Sequence, residues 1–293
     1  MIEPLISLLM LLAGASPVQT GATQISDPVA ACHAWIEDRA WSDQEDDPQT
    51  LVLSPVAACF DGAIASGSLE ALHAWIDAVP ASAQPVLVVR SRGGDSETAL
   101  ALAEKLQARD TGVHVVEVCA SACANYFYAG VRDRHIQPAS LLLFHGGFSA
   151  NNRARGLAML EAYLSGPQGA TVPDPEANRR AVGQTLDALQ ARQDALYRRI
   201  GVDPRIVHGF DALDVDTLDD AHCGGPSPAP RHFLYFDDAQ MARLGIAPAS
   251  GHTEQDPLRV NAAIAALDAD FIACRAPETS FAGTGAREAD SAR

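Results

Sequence analysis

Lysine is almost absent from this sequence, since Lys105 is the only one in 293 residues. Aromatic residues make up only 6% of the chain, and the formal net charge is −16. Nucleic acids and anionic membrane surfaces attract basic protein surfaces, so we expect neither as a partner. The 47% of apolar residues can bury a sizeable core, and the length favours one large domain with terminal extensions.

A long hydrophobic run is also missing. The apolar run from Pro4 to Leu12 is too short to span a bilayer, which takes about 20 residues. Ala13-Gly14-Ala15 follows it and offers an A-x-A cleavage site, so residues 1–15 are predicted to be an export signal. The signal would be atypical because Glu3 stands where Lys or Arg is usual, and a buried N-terminal helix is the alternative. We therefore expect a periplasmic or secreted protein with no membrane span after cleavage.

The cysteines support the same compartment. The sequence has six of them: Cys32, Cys59, Cys119, Cys123, Cys223 and Cys274. An even number in an exported protein predicts up to three disulfides, whose pairing the sequence does not determine. Cys119 and Cys123 have no second Cys/His pair at the spacing of zinc ligands. We therefore expect no metal, and nothing in the sequence implies a cofactor.

Strand and helix patterns alternate through the first half of the chain, which predicts an α/β fold with a mainly parallel sheet. The predicted strands are 51–60, 86–91, 113–118 and 140–145, and the helices between them are 68–79, 95–109 and 121–130. Helices are also predicted at 151–166, 177–201 and 237–245. Residues 16–50 form an acidic lead-in that we expect to be loosely ordered, 51–250 form the core domain, and 251–293 form a partly disordered extension.

Three consecutive strands end in residues that are suited to a site. Gly93 and Gly94 follow one strand, Ser121 follows the next, and His145 ends the third. Taken singly, these signals describe a tight turn, a helix cap and a structural histidine. The C-terminal ends of parallel strands lie side by side, however, where open α/β sheets place their sites. A phosphate loop is disfavoured, because the Walker motif is missing and Asp95 stands where an anion would bind.

Three short motifs together resemble the ClpP-like branch of the ClpP/crotonase superfamily. They are 91-SRGGD-95, 119-CASAC-123 and 144-FHGG-147. The nearest likeness is to secreted or periplasmic ClpP-like proteins with a C-x-S-A-C motif. The resemblance covers about residues 51–246, including a C-terminal helix segment at 235–246. It implies a spiral of ββα units with a mainly parallel sheet and C-terminal helices, and the activity of a serine peptidase.

The resemblance also implies roles for particular residues. Ser121 would be the nucleophile, His145 its general base, and the amides of Gly94 and Ala122 the oxyanion hole. For the third member of the triad the family position falls on Phe210, so we choose the adjacent Asp211. Asp214, Asp194 and the absence of any carboxylate remain alternatives. Cys119 or Cys123 could instead be nucleophiles, although a disulfide or a small buried side chain is the simpler interpretation.

Several functions remain open at this point. The leading hypothesis is an exported serine peptidase that acts on a peptide or protein. The resemblance also implies a homo-oligomer, because ClpP relatives form rings. A Ser-Lys enzyme is disfavoured because Lys105 lies on the helix after the Gly-Gly turn. A crotonase-type acyl-CoA enzyme suits the fold, but the acidic chain suits CoA phosphates badly. The non-enzymatic alternative is a ClpP-like scaffold or binding protein that has lost its triad.

Overall fold

The computed structural model describes residues 27–41, 47–213, 215–246, 251, 255–267 and 270–281. The predicted export signal and Asp214 lie outside these residues. Among the described residues, none of the helices is both long and apolar enough to cross a membrane.

A six-stranded, mostly parallel sheet forms the centre of the fold, which confirms the predicted α/β class. Its strands are β1 (Gln49–Ser54), β2 (Ala57–Asp61), β3 (Val86–Ser91), β4 (Gly112–Ala120), β5 (Arg134–Ile136) and β6 (Leu141–Leu143). The order is β1-β2-β3-β4-β5, and β6 also pairs with β4. Only β1 and β2 are antiparallel. The single strand predicted at 51–60 is therefore a hairpin, whose reversal contains Pro55, a residue that favours turns.

The helices cover both faces of this sheet. They are α1 (Pro28–Glu37), α2 (Glu70–Ala78), α3 (Ser96–Ala108), α4 (Ala150–Ser165), α5 (Pro175–Ile200), α6 (Arg205–His208), α7 (Asp238–Arg243), α8 (Pro257–Ala266) and α9 (Glu278–Phe281). A π-helical turn spans Cys123–Tyr128. Strand residues such as Phe60 and Val89 share a core with α2 and α3, whereas Cys59 and Val88 share one with α1. The acidic lead-in is thus partly a packed helix, because Cys32 and Ile36 bury one side of α1.

A second, two-stranded parallel sheet joins the core domain to the C-terminal extension. It pairs β7 (Arg231–Tyr235) with β8 (Ile272–Arg275). An antiparallel bridge between Phe144 and Leu234 connects it to the end of β6. The extension, expected to be partly disordered, contributes both α8 and β8 within the part that the structure describes. Its apolar residues, including Val260 and Ile264, are buried against this sheet.

All six cysteines are paired, which confirms the expectation of disulfides. The bonds are Cys32–Cys59, Cys119–Cys123 and Cys223–Cys274. The first fastens α1 to β2, and the third fastens the loop before β7 to β8. Disulfides of this density are typical of proteins that fold outside the reducing cytoplasm.

A buried ion-pair network lies at the C-terminal ends of β2 and β3. Asp61 is fully buried and accepts hydrogen bonds from Arg90 Nε at 2.8 Å and Arg39 Nε at 2.8 Å. Arg90 also pairs with Glu117 at 2.8 Å. Glu117 has a positive φ of +55° and belongs to a bulge in β4, where register with β3 shifts between Val89 and Ser91. The network therefore stabilises the irregular part of β4 that precedes Ser121.

We predict that Asp61→Asn lowers the free energy of unfolding by about 3 kcal/mol, because it removes the fully buried carboxylate that pairs with Arg90 and leaves the buried guanidinium to the partly exposed Glu117. Urea denaturation measures the change. The matched control is Asp77→Asn, which removes an exposed ion pair with Lys105 and should have a much smaller effect. Equal losses in the two variants would contradict this account of the network.

Candidate active site

Strand register brings the three sequence signals to one edge of the sheet. Cys119 in β4 lies opposite Ser91 in β3 and opposite Leu142 in β6. Two residues beyond each of these positions, the chain reaches Gly93, Ser121 and Phe144, and His145 follows directly. Parallel pairing therefore places the glycine turn, the serine and the histidine side by side.

Ser121 occupies a sharp turn between β4 and the π-helical turn. Its φ is +56°, in the left-handed region that costs a residue other than glycine about 1–3 kcal/mol. The Ser121 amide donates to Leu143 O at 2.8 Å, and its carbonyl accepts from the Asn125 amide at 2.8 Å. The side chain is 7% exposed. The surrounding structure thus holds a strained serine at a buried edge, and such strain is concentrated at functional sites.

Ser121 and His145 form a hydrogen-bonded pair. Ser121 Oγ lies 2.7 Å from His145 Nε2, and His145 Nδ1 lies 2.8 Å from Gly146 O. A carbonyl oxygen only accepts, so Nδ1 carries the proton in the neutral ring. Nε2 is then an acceptor, and the Ser121 hydroxyl donates to it. This is the tautomer in which a histidine can take a proton from a serine.

Buried polar side chains hold the loop that carries His145. Gln193 on α5 accepts from the Phe148 amide at 2.9 Å and donates to Phe148 O at 2.8 Å. Asn125 Nδ2 donates to His145 O at 2.9 Å. Tyr197 in turn donates to Asn125 O at 2.7 Å. The long helix α5 therefore fixes the position of His145 from below.

The surroundings of His145 favour its neutral form. Its ring stacks on Phe233, with centroids 5.5 Å apart and an angle of 9°. The His232 ring meets it edge to face at 6.0 Å. Burial lowers the pKa of His145 below its ordinary value, and the neighbouring charge of His232 lowers it further, against the raising effect of the Gly146 carbonyl. His145 is consequently an unprotonated base at neutral pH.

The Gly93-Gly94 turn packs directly against Ser121. A β-carbon added to Gly93, whose φ is +90°, would lie 2.5 Å from Ser121 Cβ and 2.8 Å from Ala122 N. Ile64 binds this turn through Gly93 O at 2.8 Å and the Asp95 amide at 2.7 Å. Within the described part of the chain, the amides of Gly94 and Ala122 donate no hydrogen bond. They are therefore two donors without an acceptor beside the serine in this part of the structure, and their role as an oxyanion hole stays a prediction.

Asp211 does not contact His145, which corrects the expected geometry of the triad. Asp211 Oδ1 accepts from Ser149 Oγ at 2.5 Å, and Asp211 Oδ2 accepts from the Asn151 amide at 3.3 Å. The carboxylate therefore fastens the start of α4. The spacing of the resembling family predicted that Asp211 would lie beside His145. The 3-10 turn at Gly209–Ala212 instead directs the Asp211 side chain toward the start of α4. Asp194, the other described alternative, lies 2.8 Å from His208 Nε2.

Gly146 O takes the place of a carboxylate at the far nitrogen of His145. Neither Gly146 O nor the ring neighbours His232 and Phe233 were identified from the sequence. A backbone carbonyl has no sequence signature, and β7 is a short strand without a motif.

Among the residues that the structure describes, no cluster of His, Cys, Asp and Glu could hold a metal ion.

Two clefts meet at this site, and His232 lines both of them. The larger cleft has a volume of about 660 Å³ and a mixed lining, with polar residues such as His145, Asn152 and Arg155 beside apolar ones such as Phe210 and Leu213. The second, apolar cleft has a volume of about 340 Å³ and is lined mainly by apolar residues such as Trp41, Phe233 and Phe271, with Arg92 and Asp270 also in its lining. Gly94 thus belongs to the apolar cleft, and His145 belongs to the larger one.

Neither the known protein-family models nor the curated protein sequences match this chain at a significant level. The chemistry of the site is therefore argued from its own geometry.

We predict that His145 titrates below the ordinary histidine value of about 6.5, because burial disfavours its charged form. NMR titration of the ring carbons measures this pKa. His232→Asn should raise the pKa of His145, since it removes the electrostatic effect by which His232 lowers that pKa, whereas the control His73→Asn on α2 should leave it unchanged. A midpoint of His145 above the ordinary value would contradict the assigned environment.

Proposed function

We propose that this protein is an exported serine peptidase with a ClpP-like fold, in which Ser121 is the nucleophile and His145 the general base. The observation that carries the proposal is the 2.7 Å contact between Ser121 Oγ and His145 Nε2. It occurs in the only tautomer that suits proton transfer and on a strained turn at the C-terminal edge of a parallel sheet. The disulfides and the sequence of residues 1–15 support a periplasmic or secreted location.

In the proposed reaction, Ser121 Oγ attacks the acyl carbon of the substrate while its proton moves to His145 Nε2. The oxyanion that forms accepts hydrogen bonds from the amides of Gly94 and Ala122. His145 then gives the proton to the leaving amine, which departs as the C–N bond breaks. A water molecule repeats these steps on the acyl-enzyme, so that the acid is released and Ser121 is restored.

The Gly146 carbonyl takes over one function of a triad carboxylate, which is to fix the tautomer of the histidine. In triads, replacing the aspartate by asparagine costs about 10⁴ in rate because the imidazole is held in the wrong tautomer. Here the carbonyl accepts from Nδ1 and keeps the right tautomer. It carries no full negative charge, however, so it stabilises the imidazolium less than a carboxylate would. We therefore propose a slow but competent Ser-His dyad.

The clefts indicate how a substrate would lie. Because Gly94, one of the two proposed oxyanion donors, borders the apolar cleft, the acyl side of the substrate occupies that cleft. The leaving side then extends past His145 into the larger cleft. A cleft of about 340 Å³ lies at the small end of ligand sites, which run from about 300 to 1,000 Å³. It suits one bulky apolar side chain. These features favour a peptidase over a scaffold with an empty pocket.

We predict that a fluorophosphonate probe labels Ser121, because a serine paired with a neutral imidazole displaces fluoride from phosphorus. Mass spectrometry of the labelled peptide locates the site. Ser121→Ala should abolish labelling, and His145→Ala should reduce the rate by at least about 10².

Two variants serve as controls for this labelling. Ser149→Ala removes a serine that is paired with a carboxylate instead of an imidazole, and Asp211→Asn removes that carboxylate. Each should label within about threefold of the unaltered protein, since neither side chain contacts the Ser121-His145 pair. Labelling that persists in Ser121→Ala would refute the assignment of the nucleophile. If Asp211→Asn lost labelling and Ser149→Ala did not, Asp211 would again have to be assigned as the third member of the triad.

We also predict that peptides with a bulky apolar residue on the acyl side of the cleaved bond react fastest. A charged residue there should lower kcat/KM by at least about tenfold, because most of the cleft surface is apolar and the charged residues Arg92 and Asp270 form a small part of its lining. Ala63 lines this cleft, so Ala63→Leu should narrow it and slow bulky substrates more than small ones. A set of fluorogenic peptides that differ only at this residue measures both effects. Equal rates for charged and apolar residues would show that the acyl group lies elsewhere.

A further inference from the structure

The Cys119–Cys123 disulfide brackets the proposed nucleophile. Cys119 lies at the end of β4, Cys123 opens the π-helical turn, and Ser121 is two residues from each. Both cysteines are fully buried, whereas the serine between them is 7% exposed and forms a hydrogen bond with His145, which lines the larger cleft. The covalent bond therefore lies under the turn and leaves the hydroxyl of Ser121 free to meet His145.

The bond restricts the backbone around Ser121. It holds Cys119 Cα and Cys123 Cα 5.3 Å apart. Four extended residues would span about 13–14 Å, so the disulfide excludes extended conformations of this segment. The left-handed φ of Ser121 needs such a restraint. Without it, the backbone of this serine would adopt the negative φ values that residues other than glycine usually have.

The other two disulfides have a different effect. Their cysteines are separated by 27 and 51 residues, compared with 4 for Cys119 and Cys123. Cross-linking a longer loop removes more conformational entropy from the unfolded chain. The short disulfide consequently contributes least to overall stability, and its main effect is on the local conformation of the turn.

We propose that the Cys119–Cys123 disulfide is a positioning pair that holds Ser121 in the conformation that reaches His145, an inference that rests on the proposed function. Without the bond, the hydrogen bonds from the Ser121 amide to Leu143 O and from the Asn125 amide to Ser121 O still anchor the turn. The fold is therefore retained. The turn, however, spends less time in the reactive conformation, and the rate falls in proportion.

The test compares Cys119→Ala/Cys123→Ala with the matched control Cys32→Ala/Cys59→Ala, which removes a buried disulfide on the α1 face. Fluorophosphonate labelling of Ser121 is measured over a range of probe concentrations, beside the melting temperature. The first variant should lower the limiting labelling rate by about 10–100-fold, because small misplacements of a nucleophile have effects of this size. Its half-saturating probe concentration should change little. The control should lose more melting temperature and keep its limiting rate; because Cys32–Cys59 holds the segment that carries Trp41, any effect on the apolar cleft should alter the half-saturating probe concentration instead.

Equal limiting rates in the first variant and the unaltered protein would overturn this inference alone. If the unaltered protein does not label at Ser121, the proposed function fails as well. A second measurement covers a variant that does not fold. The unaltered protein is treated with a phosphine, which takes up an oxygen atom from water as a disulfide becomes two thiols. Samples are taken over time; one part of each is alkylated to map the new thiols, and the other part is labelled without alkylation. Labelling should fall as the Cys119 and Cys123 thiols appear, and it should recover when an unalkylated sample is reoxidised. A fall that follows another pair of thiols would overturn the inference.

Discussion

The register of β4 against its two parallel neighbours is the constraint on which the rest of the site depends. Because Cys119 lies opposite both Ser91 and Leu142, the chains that leave the three strands emerge at one level. A shift of one residue would move Ser121 away from His145 and reverse the face of every side chain in β4. The bulge at Glu117 sets this register, and Arg90, which also pairs with the buried Asp61, carries the charge opposite to that of Glu117. An ion-pair network at the ends of β2 and β3 thus supports the position of the serine that follows β4.

The environment of His145 combines two opposing effects. Burial and the stacked Phe233 ring keep the imidazole neutral, which makes it available as a base at neutral pH. The same surroundings oppose the imidazolium that forms when it accepts a proton. A carboxylate would balance that charge at the cost of its own burial, whereas the Gly146 carbonyl balances part of it without adding a charge to the site. In the proposed reaction, this arrangement would give a lower rate than a triad, and it avoids the free-energy cost of a buried ion pair.

The sequence predicted the strand ends well and the contacts between them poorly. Strands such as 86–91 are short apolar runs bounded by glycine or proline, so their ends, and with them Ser121 and His145, could be located from the pattern alone. The hairpin in 49–61 was missed because apolar residues continue on both sides of Pro55. Asp211 was misassigned because a spacing carried over from a family says nothing about the local 3-10 turn that directs the side chain to Ser149. The role of the Gly146 carbonyl could not be predicted, since every residue carries one.

The terminal segments form part of the walls of the apolar cleft, although their composition predicted a loosely ordered lead-in and a partly disordered extension. Trp41 from the lead-in and Phe271 from the extension both line it, beside Gly94. Disulfides hold both segments: Cys32–Cys59 fastens α1 to β2, and Cys223–Cys274 fastens the extension to the loop before β7. Aromatic residues are few in this chain, yet Trp41, Phe233 and Phe271 all line this one small cleft. Each of them buries a large apolar area there. Specificity for the acyl group would therefore depend on segments outside the parallel sheet, while the sheet itself positions the serine and the histidine.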